Sequence, residues 1–166
     1  MSIDARFLAH ALALEEEAML RYRELADSMA AHHNPAVADF FAQMSEESAK
    51  HLEEVRELAG ERELPALAAW EFDWPGEAPE SASYEALHYR MDLRGAVELA
   101  LANERSAEGF YRLAAEQAAD DDTARLARSF AAEEAEHARL LSERLDALPP
   151  TPLHQREDDD PAHTPE

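Results

Sequence analysis

Two short stretches of the sequence place acids ahead of a histidine at helical spacing. "AAEEAEH" (131–137) has Glu134 three residues before His137, whereas "SEESAKH" (45–51) has Ser48 three residues before His51. Residues three apart on a helix project to the same side, so a glutamate and a histidine at this spacing can bind metal together. The first stretch contains a complete candidate ligand pair, and the second has a serine in the place of the carboxylate.

Two further glutamates stand where a helix would bury apolar side chains. In four segments apolar residues recur every three or four positions, which is typical of the buried face of a helix. Glu15 interrupts the first of these stripes and Glu104 the third, as Glu134 and His137 do in the fourth. A buried carboxylate is costly unless it is protonated, paired or bound to a cation. The pattern therefore indicates a buried polar layer in which something must offset the cost of the carboxylates.

The stripes predict four helices in two tight hairpins. The apolar stripes run from Leu8 to Met29, from Val37 to Leu58, from Val97 to Ala118 and from Leu126 to Leu148. Asn34 and Asp92 are predicted N-caps, Gly60 is a predicted helix stop, and the run "DDDT" (120–123) separates the last two helices. No segment carries strand signals, so we expect an all-α chain.

The connection between the hairpins, from about residue 60 to residue 91, is long enough to cross a whole bundle. The sequence thus predicts an antiparallel four-helix bundle over residues 1–148, with a long crossover between helices 2 and 3. Residues 149–166 are rich in proline and acids and have almost nothing apolar to bury. We expect this acidic tail to be disordered.

Antiparallel helices bring residues level when they lie equally far from the shared turn. Glu15 and His51 each lie 18 residues from the first predicted turn, at His33. Around the second predicted turn, at Asp121, the candidate ligands lie 13 to 17 residues away. At about 1.5 Å per residue these distances place all of them in one layer of the bundle. Five candidate ligands converge there: Glu15, His51, Glu104, Glu134 and His137.

This set matches the ligand rule for carboxylate-bridged dimetal bundles, which is one Glu from each of two helices and a Glu-x-x-His from each of the others. Ser48 leaves the rule half met. Three glutamates do not balance the charge of two divalent ions, whereas adding Glu47, four residues before His51, would do so. We predict Glu47 as the substitute ligand; otherwise Ser48 leaves room for water, and the site is asymmetric, mononuclear or degenerate.

The short pattern alone is also compatible with a solvated helix face. "EALH" (85–88) repeats the Glu-x-x-His spacing without a partner layer. The metal interpretation depends on the convergence of several helices.

The sequence resembles the rubrerythrin branch of the ferritin-like superfamily over about residues 5–147. The resemblance lies in "LEEEAMLRY" and "NERSAEGFY", each a Glu-x-x-Ala-x-x-x-Tyr element, and in "EEAEH". It implies a ferritin-like fold, and two irons at the positions of Glu15, Glu104, Glu134 and His137. It also implies that tyrosines near the position of Tyr22 hydrogen-bond the carboxylates; the alternative for Tyr22 and Tyr111 is that they are core aromatics with a satisfied hydroxyl. The implied activity is oxidation of Fe(II) or reduction of peroxide, with O2 or H2O2 as the oxidant; manganese and zinc remain alternative metals.

Composition limits the other function classes. The formal net charge of −22 repels nucleic acid and anionic membranes and attracts cations. The chain has no cysteine, so we expect no iron–sulfur cluster and no rubredoxin-type iron; nor do we expect haem. Rubrerythrins proper carry a rubredoxin domain, so here electrons are expected from an external donor. No apolar run is long enough to span a membrane, and we expect a cytoplasmic location. Family resemblance favours a homodimer.

Three function classes follow from these residues. The first is a ferroxidase or peroxide-reducing protein in iron handling or oxidative stress. The second is a metal-binding or iron-delivery module without turnover, because Ser48 removes a ligand. The third is a structural helical bundle with a degenerate site.

Overall fold

The computed structural model of the chain describes residues 3–66 and 91–150. Within these ranges the chain forms four helices and no strand: α1 (Ala5–Ala31), α2 (Pro35–Ala59), α3 (Leu93–Gln117) and α4 (Asp121–Ala147). α1 packs on α2 and α3 packs on α4. Each pair is joined by a three-residue turn, so its helices run antiparallel. The predicted all-α four-helix bundle is confirmed, whereas the central part of the crossover (67–90) and most of the tail (151–166) lie outside the described residues.

The helix ends follow local capping chemistry. The Asp92 carboxylate accepts a hydrogen bond of 2.8 Å from the backbone N–H of Gly95, and α3 begins at Leu93, directly after Asp92. Asp120 caps α4 in the same way through the N–H of Thr123, at 2.7 Å. Gly60 ends α2 with a φ of +58°, a conformation that glycine adopts without strain. These boundaries agree with the sequence prediction.

Two hydrogen bonds fix the hairpins against each other at opposite ends of the bundle. At one end the Asn34 side chain precedes α2, as predicted, but donates to the backbone oxygen of Met91 at 2.8 Å instead of capping its own helix. At the other end the backbone N–H of Asp4 donates to the Thr123 hydroxyl at 2.8 Å. Together they set the axial register in which α1 and α2 meet α3 and α4.

The core consists of two apolar clusters with a polar layer between them. One cluster contains Tyr22, Phe41 and Val97, and the other contains Phe7 and Phe130. On every helix the candidate ligands lie in the interval between the two clusters. The apolar packing on both sides therefore shields the polar layer from solvent along the bundle axis.

One end of a predicted stripe is wrong. Leu58 is 36% exposed, and Ala59 is buried in its place. Ala59 lies four positions after the buried Val55, and this spacing keeps both on the same face at 3.6 residues per turn.

None of the four described helices combines the length and the hydropathy needed to cross a membrane.

Candidate metal centre

Side chains from all four helices line one cavity in the polar layer. The cavity measures about 10 Å³, which is the space that one water-sized group needs. It brings together all the predicted metal ligands, Glu47 included, along with Ser48 and Asn103. Its lining residues are Leu14, Glu15, Ala18, Glu47, Ser48, His51, Asn103, Glu104, Ala107, Glu134 and His137.

Three carboxylates of this cavity are almost completely removed from solvent. Glu15 is 4%, Glu104 6% and Glu134 3% exposed. Burial raises the pKa of Glu104, and burial together with the neighbouring Glu104 and Glu15 carboxylates raises that of Glu134 strongly. Among the described residues that line the cavity, none is a lysine or an arginine. Burying these carboxylates therefore requires protonation, pairing with a charged histidine or a bound cation.

Each histidine lies near two of the three carboxylates, and Glu134 is near both histidines. The Nδ1 atom of His51 lies 3.4 Å from Glu134 Oε1 and 3.8 Å from Glu15 Oε2. On the other side, His137 Nδ1 lies 3.8 Å from both Glu134 Oε1 and Glu104 Oε1. The two imidazole rings have centroids 5.0 Å apart. Glu134 thus stands between two His–Glu pairs.

The spacing of these groups suits metal coordination. One ligand atom each from His51, Glu134 and His137 lies within 4.8 Å of the others. Metal–ligand bonds of about 2.1 Å place two ligands of one ion up to about 4 Å apart. Small side-chain rotations would therefore bring these groups within bonding distance of bound metal.

The two buried tyrosines make different contacts. The Tyr111 hydroxyl donates to Glu15 Oε2 at 2.8 Å, which fixes the orientation of that carboxylate. The Tyr22 hydroxyl accepts a hydrogen bond of 3.0 Å from the Asn103 side chain. Burial raises the pKa of both phenols, so both stay neutral. The two Glu-x-x-Ala-x-x-x-Tyr elements match in sequence, and each tyrosine is hydrogen-bonded to a residue beside the cavity.

The rubrerythrin family model matches residues 6–145 and, in a second match, residues 95–159. The chain belongs to the rubrerythrin family. Membership implies a metal cofactor, typically iron, and the chain has no cysteine for an iron–sulfur cluster. A possible His/Glu site is present at the layer that the sequence identified. These findings suggest a diiron carboxylate protein.

The rubrerythrin-family chain is also similar to a solved structure, that of an uncharacterized conserved protein from Magnetospirillum magnetotacticum MS-1. The two share 39% sequence identity with a TM-score of 0.76, and the match covers 92% of this chain and 99% of the other. Comparison with curated proteins gives no match.

This rubrerythrin-family chain departs from the ligand rule at Ser48, where a glutamate is expected. Glu47 is the neighbouring residue. Ser48 is buried and faces the cavity, as its stripe predicted. Glu47 is exposed overall, yet it lines both the cavity and a wider cleft between α2 and α4. It is therefore within the site, and its role as a ligand stays a prediction.

The cleft borders the cavity, because Glu47, Glu104 and His137 line both. It measures about 170 Å³. Its walls include the buried Phe40, Met44 and Leu141 and the half-exposed Leu140. A small molecule in this cleft would contact Glu104, one of the buried carboxylates.

Two residues of the site do not lie on the apolar stripes and were not predicted. Asn103 lines the cavity and bonds Tyr22, and Glu133 Oε2 lies 3.5 Å from His51 Nε2. Each precedes a predicted glutamate ligand by one residue, so neither lies on the centre of its stripe. The signal for Glu133 is its spacing, because it lies four residues before His137 as Glu47 lies four before His51.

Proposed function

We propose that this chain binds two irons in the polar layer and uses them to oxidise Fe(II) or to reduce peroxide. The observation that carries the proposal is the set of three buried carboxylates and two imidazoles around one cavity whose described lining has no lysine or arginine. Such a set is costly to bury unless a cation offsets its charge. Family membership supports iron as that cation.

The donor set fits two metal ions with a shared ligand. Glu15 and His51 would hold one ion, and Glu104 and His137 the other, because each pair approaches Glu134 from its own side. Carboxylate and imidazole donors suit divalent iron. Bound iron would supply the electron transfer to O2 or H2O2 that these side chains cannot perform themselves.

The protein's own residues orient the ligands and shield them from solvent. Tyr111 holds Glu15 through its hydroxyl, and the apolar clusters shield both sides of the layer from solvent along the bundle axis. Glu104 and Glu134 hold protons in the metal-free chain because burial raises their pKa values, and they would release these protons when metal binds.

The cleft between α2 and α4 is the proposed path for Fe(II) and for the oxidant. Glu47 lies along it, and the net charge of −22 raises the local concentration of cations at its mouth. Peroxide reduction needs two electrons per turnover, and we propose that an external donor supplies them once the bound iron is oxidised.

Ser48 supports a second candidate, a metal-binding or iron-delivery protein without turnover. With Ser48 in the cavity, the three buried glutamates leave one positive charge of two divalent irons unbalanced. Weak binding at one of the two positions would disable two-electron chemistry and still allow reversible binding of one ion.

The test is anaerobic loading with Fe(II), followed by mixing with O2 or H2O2 and detection of Fe(III) absorbance. The proposal predicts rapid oxidation in the native chain, and its loss in both Glu104→Ala and Glu134→Ala. Glu136→Ala is the matched control, because Glu136 lies on the same helix but is exposed and paired with Arg139. Unchanged oxidation in both site variants would refute the proposal, and binding without oxidation would favour the second candidate.

A further inference from the structure

The two ring nitrogens of His51 face different carboxylates. Nδ1 points into the cavity, where Glu134 and Glu15 lie 3.4 Å and 3.8 Å away. Nε2 points outward, and its neighbour is Glu133 Oε2 at 3.5 Å. The imidazole thus bridges the buried layer and a half-exposed acid that the ligand rule does not include.

The packing of α2 against α4 explains why Glu133 is there. The two helices are antiparallel at this contact, because Phe40 packs under the Arg144 guanidinium at 5.0 Å while His51, further along α2, meets Glu133, further back on α4. In both contacts the two residue numbers have the same sum, so the register is unchanged along the pair. The position of Glu133 opposite His51 is therefore set by helix packing.

The contact between Glu133 and His51 Nε2 affects which ring nitrogen can bind metal. A neutral imidazole has one N–H and one nitrogen lone pair, and only the lone pair can bind metal. A carboxylate beside Nε2 favours the proton on that atom, which leaves the Nδ1 lone pair directed into the cavity. Metal-binding histidines commonly have such a carboxylate on the other ring nitrogen.

We propose that Glu133 is a positioning residue that accepts the Nε2–H of His51 and so directs Nδ1 to the metal. The inference rests on the proposed metal function and adds to it. It also explains how His51 could remain a ligand although its own helix has Ser48 in place of the expected glutamate. In the ligated state the 3.5 Å separation is expected to shorten to a hydrogen bond, because the Nε2–H of a metal-bound imidazole donates to an ionised acid.

The experiment uses Zn(II), which is diamagnetic, as the probe in the full-length protein. Zn(II) affinity and stoichiometry are measured by competition with a chromophoric chelator in the native chain, Glu133→Ala, Glu133→Gln and Glu136→Ala. The His51 tautomer in the zinc-loaded protein is read from the ¹⁵N shifts of its ring nitrogens. Melting temperatures verify that every variant folds.

Glu133→Ala should weaken Zn(II) binding by about 10- to 100-fold at unchanged stoichiometry, the range typical of residues that orient a ligand. Glu133→Gln should retain most of the affinity, because its amide oxygen still accepts the Nε2–H. Native protein should have the proton on Nε2, and Glu136→Ala should match it.

Three outcomes would overturn the inference. Native affinity and tautomer in Glu133→Ala would mean that Glu133 does not position His51. Equal losses in Ala and Gln variants with reduced stoichiometry would make Glu133 a direct ligand. A native chain that binds neither Zn(II) nor Fe(II) would refute the proposed function itself, and this failure is distinguishable because it appears before any variant is compared.

Discussion

The Tyr111 hydroxyl donates a 2.8 Å hydrogen bond to the Glu15 carboxylate, and this bond joins two helices at the centre of the polar layer. Both side chains are buried, at 1% and 4% exposure, so water does not compete for the contact. The bond holds one carboxylate oxygen in a fixed direction. The same oxygen, Oε2, lies 3.8 Å from His51 Nδ1, so the bond also fixes how Glu15 approaches that imidazole.

Replacing Tyr111 with phenylalanine tests this positioning. The ring can keep its contacts with Phe7 and Phe130, so the fold should remain. The metal-free protein should lose about 1–3 kcal/mol of stability, because a buried carboxyl group loses its donor. Metal affinity should fall by about tenfold or more. Chemical denaturation and metal titration measure the two effects, and unchanged affinity would mean that the bond does not orient Glu15 for binding.

Restoring the missing carboxylate at Ser48 should have opposite effects with and without metal. Ser48→Glu adds a fourth acid to a dry cavity, so the metal-free protein should melt at a lower temperature than native. With Fe(II) bound anaerobically it should melt at a higher temperature, because the added charge completes the ligand set. Ser48→Gln matches the size without the charge. Shifts of the same sign in both states for Ser48→Glu would argue against a metal site here.

The metal-free protein should become less stable as the pH rises from 6 to 9. Burial raises the pKa of Glu104 and Glu134, and the approach of Glu15 raises the pKa of His51 to about 9. The folded chain therefore holds protons that the unfolded chain has already released. The stability from these protons is full at acidic pH and is lost as the pH rises through the folded-state values.

Melting temperatures across this pH range measure the effect. Glu134→Gln should flatten the profile, because it removes one raised pKa. Metal-loaded protein should not follow the decline, because metal binds the deprotonated ligands. A metal-free stability that increases between pH 6 and 9 would contradict the assignment.

Narrowing the cleft between α2 and α4 should slow access to the centre. Leu140 is 49% exposed at the cleft, so Leu140→Trp can fill part of its 170 Å³ at little cost to the fold. Oxidation of bound Fe(II) by H2O2 should slow several-fold, while iron content after long loading stays at the native value. Leu113→Trp is the control, because Leu113 is 52% exposed on α3 and does not line the cleft. Equal rates in both variants would mean that the oxidant enters elsewhere.

The fold could be predicted from the sequence because its signals are local. Asp92 and Gly60 mark helix ends through bonds and angles within a few residues, and apolar spacing fixes each buried face. Glu15 and Glu104 were identifiable because a carboxylate on an apolar stripe has a cost that something must offset. Their convergence followed from counting residues back to two short turns.

The finer contacts depend on how helices rotate against each other, which residue spacing does not determine. Glu133 lies beside the α4 stripe and meets His51 only because α2 packs against that edge of α4. Asn103 likewise donates to the Tyr22 hydroxyl between α3 and α1, a contact that the position of Asn103 beside its stripe does not indicate. Both contacts arise from side-chain packing between distant parts of the chain.

Iron content per chain, measured by elemental analysis after anaerobic Fe(II) loading and removal of free metal, tests the central claim most directly. Two irons per native chain, and fewer in Glu134→Ala, are expected, because Glu134 lies between both His–Glu pairs. One iron or none in the native chain, or a Glu134→Ala variant that still binds two, would contradict a diiron centre in this layer.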